Sequence, residues 1–333
     1  GHGHPVQLPT YAFQRRRYWL ADHSAETGDV ACVGLVGAEH ALLGAVVQQP
    51  DTGGVVLTGR LSLSAQPWLA DHALAGVVLF PGAGFVELAI RAGDEVGCAV
   101  LQELTLTAPL AIPAAGGVQV QVVVSGADES DDRAVSVYAR EDHGDAKWAL
   151  HAEGLLGQGV EGLSTPITDL AQWPPVDAGA VDVSDAYARL AERGYVYGEA
   201  FQGLRAMWRR GQEVFADIVI PDDSSLAVDG FGIHPMLLDA ALHAMLLTEV
   251  AQTKEISVTG HTSSMVVPFS WAGISLQGVG AARVRARLAP AGQDAVSIEL
   301  ADTTGAPVLS IASLKLRPIT TDQLHNALTT AID

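Results

Sequence analysis

The sequence predicts an α+β fold made of one unit used twice, and three observations carry that prediction. A helix-like segment at 84–97 (GFVELAIRAGDEVG) precedes strand-like segments beginning at 118, 134 and 148. A second helix-like segment at 234–250 (HPMLLDAALHAMLLTEV) precedes matching strands beginning at 282, 295 and 308, giving offsets of 164, 161 and 160 residues. Near-constant spacing of like elements marks a duplication. A long helix followed by an antiparallel meander buries its apolar surface when the sheet wraps the helix. Residues 84–156 and 234–316 are therefore expected to superpose.

Taken in order, the stretch 4–20 (HPVQLPTYAFQRRRYWL) has neither helical nor strand period and reads as an extended segment anchored by Tyr11, Phe13, Tyr18 and Trp19. In the first long helix Glu87 and Arg91 stand at i,i+4, so that face is expected to meet water. The stretch 164–180 (STPITDLAQWPPVDAGA) is punctuated by Pro and Gly and reads as a linker. The second long helix is apolar on all sides from Met236 to Leu247 except at Asp239 and His243, so burial is expected, and Pro235 suits its first turn. The segment ARVRARL (282–288) alternates strictly, the period of a half-exposed strand. The division that follows is a 1–20 linker, an N-terminal half at 21–163, an inter-half linker at 164–185, a C-terminal half at 186–320 and a tail at 321–333.

Composition limits the function classes. The 333 residues are 48% apolar and 17% charged, enough for two cores and too apolar for disorder. Every apolar stretch is interrupted by Gly, Pro, Asp or Arg, so no transmembrane helix is expected, and the first residues carry no secretory pattern. Cys32 and Cys98 make no disulfide framework, which points to a reducing, cytoplasmic setting. The net charge of −19 opposes a nucleic-acid ligand. Positive charge is nonetheless gathered at Arg189, Arg193, Arg205, Arg209 and Arg210, either as a solvated face or as a dock for an acidic partner.

Chemistry-bearing residues are few. Asp239 and His243 project from one helical face. A carboxyl in so apolar a helix is either satisfied by its histidine or raised in pKa and presented to a pocket as an acid. His72 lies in WLADHALAGVVLFPGAG, where Gly82 and Gly84 open the first helix. Amides freed by such a turn are a place for a carbonyl oxygen that gains negative charge. His40 repeats the His-x-x-x-Gly theme, but Pro50 comes one residue late and no glycine pair follows, so no catalytic role is assigned to it. His234, Asp239 and His243 do not share one face as metal ligands would, and no zinc, P-loop, dinucleotide or serine-elbow motif is present.

These residues resemble the dehydratase domain of modular type I polyketide synthases. The family's His-x-x-x-Gly-x-x-x-x-Pro stands here as His72, Gly76 and Pro81. Its Gly-Tyr-x-Tyr-Gly-Pro-x-Phe appears as GYVYGEAF (194–201), its Asp-x-x-x-Gln/His as Asp239 and His243, and its Leu-Pro-Phe-Ser-Trp as VPFSW (267–271). Glu199 replaces the usual Pro, and Val267 the usual Leu. LPTYAFQRRRYWL (8–20) resembles the linker that follows an acyltransferase, so the chain resembles a piece of a longer synthase.

The resemblance implies a double hot-dog fold in which His72 and Asp239 meet across one pocket. It implies loss of water from a 3-hydroxyacyl thioester, carried on the phosphopantetheine of an acyl carrier protein, to the trans-2-enoyl thioester. His72 is then the base and Asp239 the acid. The amides near Gly82 bind the thioester oxygen, Tyr197, Gly198 and Phe201 line the pocket with Gly76 and Pro81, Pro268 and Phe269 shape its wall, and His243 orients Asp239. No metal or redox cofactor is needed. The expected partners are the carrier protein, docked at Arg205, Arg209 and Arg210, neighbouring synthase domains and a second copy in a homodimer, with neither nucleic acid nor membrane. A double-bond isomerase or cyclase on the same scaffold, and an inactive spacer, remain the alternatives.

Overall fold

Val118, Val120, Val122 and Val124 alternate with Gln119, Gln121 and Val123, and the resulting strand is buried at every second residue. The same rule buries Val284, Ala286 and Leu288 while Arg283, Arg285 and Arg287 stay on the outer face. There Arg287 pairs with Glu213 and Glu299, and Arg283 with Asp217, so charges on neighbouring strands neutralise one another.

The computed structural model describes residues 30–142, 146–159, 170–221, 228–248, 265–292 and 294–324. The sequence-predicted anchors at 11–19 and the tail beyond 324 lie outside the described residues. The chain forms β1 (Val36–Gly37), β2 (Ala45–Gln49), β3 (Gly54–Leu61), β4 (His72–Leu74), β5 (Val77–Val78), α1 (Gly82–Glu95), β6 (Val100–Leu106), β7 (Val118–Val124), β8 (Arg133–Glu141) and β9 (Ala149–Gly157). It continues through β10 (Gly179–Val181), α2 (Ala186–Glu192), β11 (Tyr195–Tyr197), β12 (Leu204–Arg210), β13 (Glu213–Val219), α3 (Pro235–Leu246), β14 (Met265–Leu276), β15 (Arg283–Pro290), β16 (Ala295–Ala301) and β17 (Pro307–Ile319).

A single antiparallel sheet carries the duplication. Its order is β1-β2-β3-β7-β8-β9-β6-β14-β17-β16-β15-β13-β12-β10. Outward from the central β6–β14 pair, one side reads β9, β8, β7, β3, β2 and the other β17, β16, β15, β13, β12. Each half is thus a helix followed by four strands in the same spatial order, which is the double hot dog. Trp271 of β14 lies opposite Leu104 of β6 with no exposure, sealing the seam. Described residues of the 164–180 stretch also join the second half: β10 pairs with β12, and Trp173 packs edge-on against Trp208.

The two long helices touch each other and pack on the large sheet, α1 against β6 to β9 and α3 against β12, β13 and β15. All 12 residues of α3 are buried, and His234 caps it, with Nδ1 accepting the Met236 N–H at 3.2 Å. In α1 the expectation of a wet Glu87–Arg91 face is corrected. Glu87 is 1% exposed and turned inward, while Arg91 pairs with Glu95 at 2.8 Å. The i,i+4 rule found a neighbour for Arg91 but in the wrong direction, because His40 and the Gly232–Ile233 backbone that leads into α3 take up the Glu87 carboxylate.

Candidate active site

The first catalytic candidate is presented by a two-residue hairpin. Ala75 and Gly76 both have positive φ (49° and 80°), the combination that a type I′ turn requires, and β5 folds back on β4 with Leu74 opposite Val77. The return brings Leu79 O to 2.9 Å from His72 Nδ1. A carbonyl only accepts, so Nδ1 donates and the proton of a neutral His72 is fixed there, leaving Nε2 as an acceptor. Pro81, with φ −66°, then leads into α1 without a side-chain cap, and Gly82 begins the helix at the cavity wall.

Strand β11 holds the other side of His72. Tyr197 is the register partner of His72 and Tyr195 that of Leu74. The clasp is completed by Asp71, a residue that sequence reasoning missed. Its backbone oxygen accepts Gly198 N–H at 2.8 Å and its carboxylate accepts Ala200 N–H at 2.9 Å. A Cβ on Gly198 would meet that carboxylate at 2.2 Å, so only glycine fits. Phe201, on the short 3₁₀ turn Glu199–Phe201, brings its ring centroid to 5.1 Å from that of His72, and Glu199 itself points to solvent.

Asp239 arrives from α3. Its Oδ2 lies 2.9 Å from His243 Nε2, one turn along the helix, and 3.7 Å from His72 Nε2 across the cavity. Tyr197 covers His243, ring centroids 3.8 Å apart. Burial is the strongest influence on the Asp239 carboxyl and pushes its pKa up, but the charge of His72 together with the hydrogen bond and charge of His243 hold it below the usual carboxylate value. The expectation of a raised value is therefore corrected. The apolar helix is legible in sequence, whereas the imidazole opposite is not. Burial also holds the Tyr197 phenol well above its usual value.

Of the expected pocket residues, His72, Gly82, Tyr197, Asp239 and Pro268 line the cavity, with apolar walls from Phe85, Leu242 and Met245. Gly76, Pro81, Gly198, Phe201 and His243 are not among the lining residues, and Gly76 is exposed at the hairpin tip. Phe269 does not line the cavity either. It falls in a register shift of β14 between Pro268 and Ser270, with its ring 4.4 Å beneath the Arg317 guanidinium. Arg317 is exposed and lines the cavity, which Arg205, Arg209 and Arg210 do not. Arg205 is exposed, Arg209 bonds Gly211 O at 2.9 Å, and Arg210 is engaged by Glu213 at 2.8 Å and by Val176 O at 3.3 Å.

Comparison with known proteins agrees with this arrangement. A family profile described as "Polyketide synthase dehydratase domain" matches residues 40–140, and one described as "Polyketide synthase dehydratase N-terminal domain" matches residues 166–326. The chain belongs to the polyketide synthase dehydratase family. The dehydratase domain from the terminal module of the rifamycin polyketide synthase is 44% identical with a TM-score of 0.80, covering 87% of this chain and 100% of that one. Mycoketide-CoA synthase of Mycobacterium tuberculosis is 60% identical over 98% of this chain and 8% of its own length. A relative from the same organism named "Putative inactive phenolphthiocerol synthesis polyketide synthase type I Pks1" is 57% identical over 99% of this chain and 20% of its own length. The chain thus spans a small part of the length of those relatives. Among its described residues no helix is long and apolar enough to cross a membrane.

Proposed function

We propose that this dehydratase domain removes water from a 3-hydroxyacyl thioester to give the trans-2-enoyl thioester. The observation that carries the reading is the His72–Asp239 pair in a largely apolar cavity, with His72 Nδ1 committed to Leu79. His72 Nε2 takes the proton from carbon 2 and its electron pair becomes the new double bond. The carbon 3–oxygen bond breaks, and Asp239 gives its proton to the departing hydroxyl, so one water leaves and no redox change occurs. Amides opening α1 at Gly82 support the charge that develops on the thioester oxygen. His243 then hydrogen-bonds the carboxylate that remains.

The pair needs one proton, on Asp239 rather than on His72. The causes acting on Asp239 favour its carboxylate in the open site. An acyl chain filling the cavity displaces water, and desolvation favours the protonated carboxyl, which is the form that gives its proton. Carriage of the substrate on an acyl carrier protein is part of the proposal. Arg317 supplies a cation for the phosphate of the carrier arm, and Arg205 and Arg209 supply a surface for an acidic carrier. Homodimerisation, a cytoplasmic setting and independence from any metal or redox cofactor are carried by the family resemblance.

The test is mass spectrometry of synthetic 3-hydroxyacyl thioesters after incubation with the domain. Loss of one water, reversed from the enoyl thioester, is the expected result. A shifted double bond or a ring as the first product would assign the site to isomerisation or cyclisation, and no change would mark a spacer.

A further inference from the structure

Glu87 is a buried carboxylate that the proposed reaction does not touch. It extends from α1 and accepts three hydrogen bonds, from Gly232 N–H at 2.6 Å, Ile233 N–H at 2.9 Å and His40 Nε2 at 3.2 Å. His40 Nδ1 accepts the Leu42 N–H at 3.1 Å, so its proton sits on Nε2 and a neutral ring donates to Glu87. A carboxylate kept at 1% exposure demands such donors, and here all three come from outside its own helix.

The donors' places in the chain give the contact its meaning. Gly232 and Ile233 directly precede His234 and Pro235, the cap and first residue of α3. A Cβ on Gly232 would meet Leu276 at 2.7 Å, so the backbone is held close between Glu87 and β14. On the other side, α1 follows directly from the His72 hairpin through Pro81 and Gly82. One side chain therefore ties the helix behind His72 to the backbone that launches the helix bearing Asp239. We infer that Glu87, supported by His40, is a positioning residue that sets Asp239 against His72 across the two halves. His40 thereby acquires a role that its failed motif did not suggest.

The inference rests on the dehydratase reading for its kinetic consequence but not for its geometry. Gln at position 87 turns an N–H₂ group toward donors and breaks at least one of the bonds. Misplacement of reacting groups by about 1 Å costs on the order of 10²-fold. For Glu87→Gln, kcat for water loss per folded molecule should fall roughly 10–100-fold with KM within about twofold. Deuterium exchange at carbon 2, which needs His72 alone, should fall much less. Ile298→Ala, a fully buried change in β16 away from the cavity, controls for lost stability and should keep kcat per folded molecule. His40→Ala removes one of the three donors and should give a smaller loss of the same kind, and it carries the test if Glu87→Gln does not fold. Equal loss of water elimination and exchange, or an unchanged kcat, overturns the inference. A wild-type domain that eliminates no water defeats the functional reading instead. The inference then stands on a crystal structure of whichever variant folds, in which Asp239 should be displaced from His72, and an unmoved pair overturns it.

Discussion

His72 Nε2 faces Asp239 Oδ2 at 3.7 Å from the opposite half of the molecule, while His72 Nδ1 is occupied by Leu79 O at 2.9 Å. Only one imidazole nitrogen is open to a substrate, and it is the one beside the carboxyl. His72→Phe and Asp239→Asn should each lower water loss by about 10²–10⁴-fold. The double variant should lose much less than the product of the two, because the pair works as a unit. Single-turnover rates on one thioester check this, and full multiplicativity would separate the residues into independent roles.

His243 holds the Asp239 carboxyl down by hydrogen-bonding its ionised form. His243→Ala removes that support, so the Asp239 pKa rises. The low-pH limb of the rate profile should therefore move to higher pH. A limb that stays in place, in a variant that still folds, would leave His243 with packing alone.

Acid stability should report His234, whose pKa burial lowers from 6.5 to about 4. The folded form prefers the neutral ring, so the full contribution is present above the unfolded value and is lost as pH falls through the folded one. The span corresponds to about 3 kcal/mol. His234→Asn keeps an acceptor for the Met236 N–H but does not titrate. Its urea midpoint should fall less steeply than the wild type's between neutral pH and about pH 5. Equal slopes would place the acid sensitivity elsewhere.

The proposed carrier docking rests on Arg205 and Arg209 and not on Arg210, although the sequence groups all three together. Arg205→Glu with Arg209→Glu should raise KM for carrier-borne substrate and leave small thioesters unaffected. Arg210→Glu should instead lower stability, since Arg210 belongs to the Glu213 and Arg287 ion-pair set. Steady-state kinetics with both substrate forms distinguishes the two outcomes. Equal losses on both substrates for the first pair would make those arginines structural as well.

The duplicated plan was legible because strand alternation and helix length are local properties. The segment read at 118–124 is β7 itself, and the burial of α3 followed from its continuous apolar sequence. His72, Asp239 and His243 were legible as motif residues. The central strands β6 and β14 were not read as strands, because Pro268 and the register shift beside it interrupt any simple period in β14. Asp71, Glu87 and Arg317 were missed for a different reason. Each owes its place to a partner distant in sequence: Ala200, Gly232 and the cavity wall. The direction of the Asp239 shift was missed likewise, since the His72 opposite belongs to the other half.

The measurement that tests the division of labour most directly is deuterium incorporation at carbon 2, followed alongside water loss in His72→Phe and Asp239→Asn. Abstraction needs the base, and departure of the hydroxyl needs the acid as well. The account predicts that Asp239→Asn retains exchange while losing water elimination, and that His72→Phe loses both. Exchange that survives in His72→Phe and disappears in Asp239→Asn would contradict it, and would make the carboxylate the base.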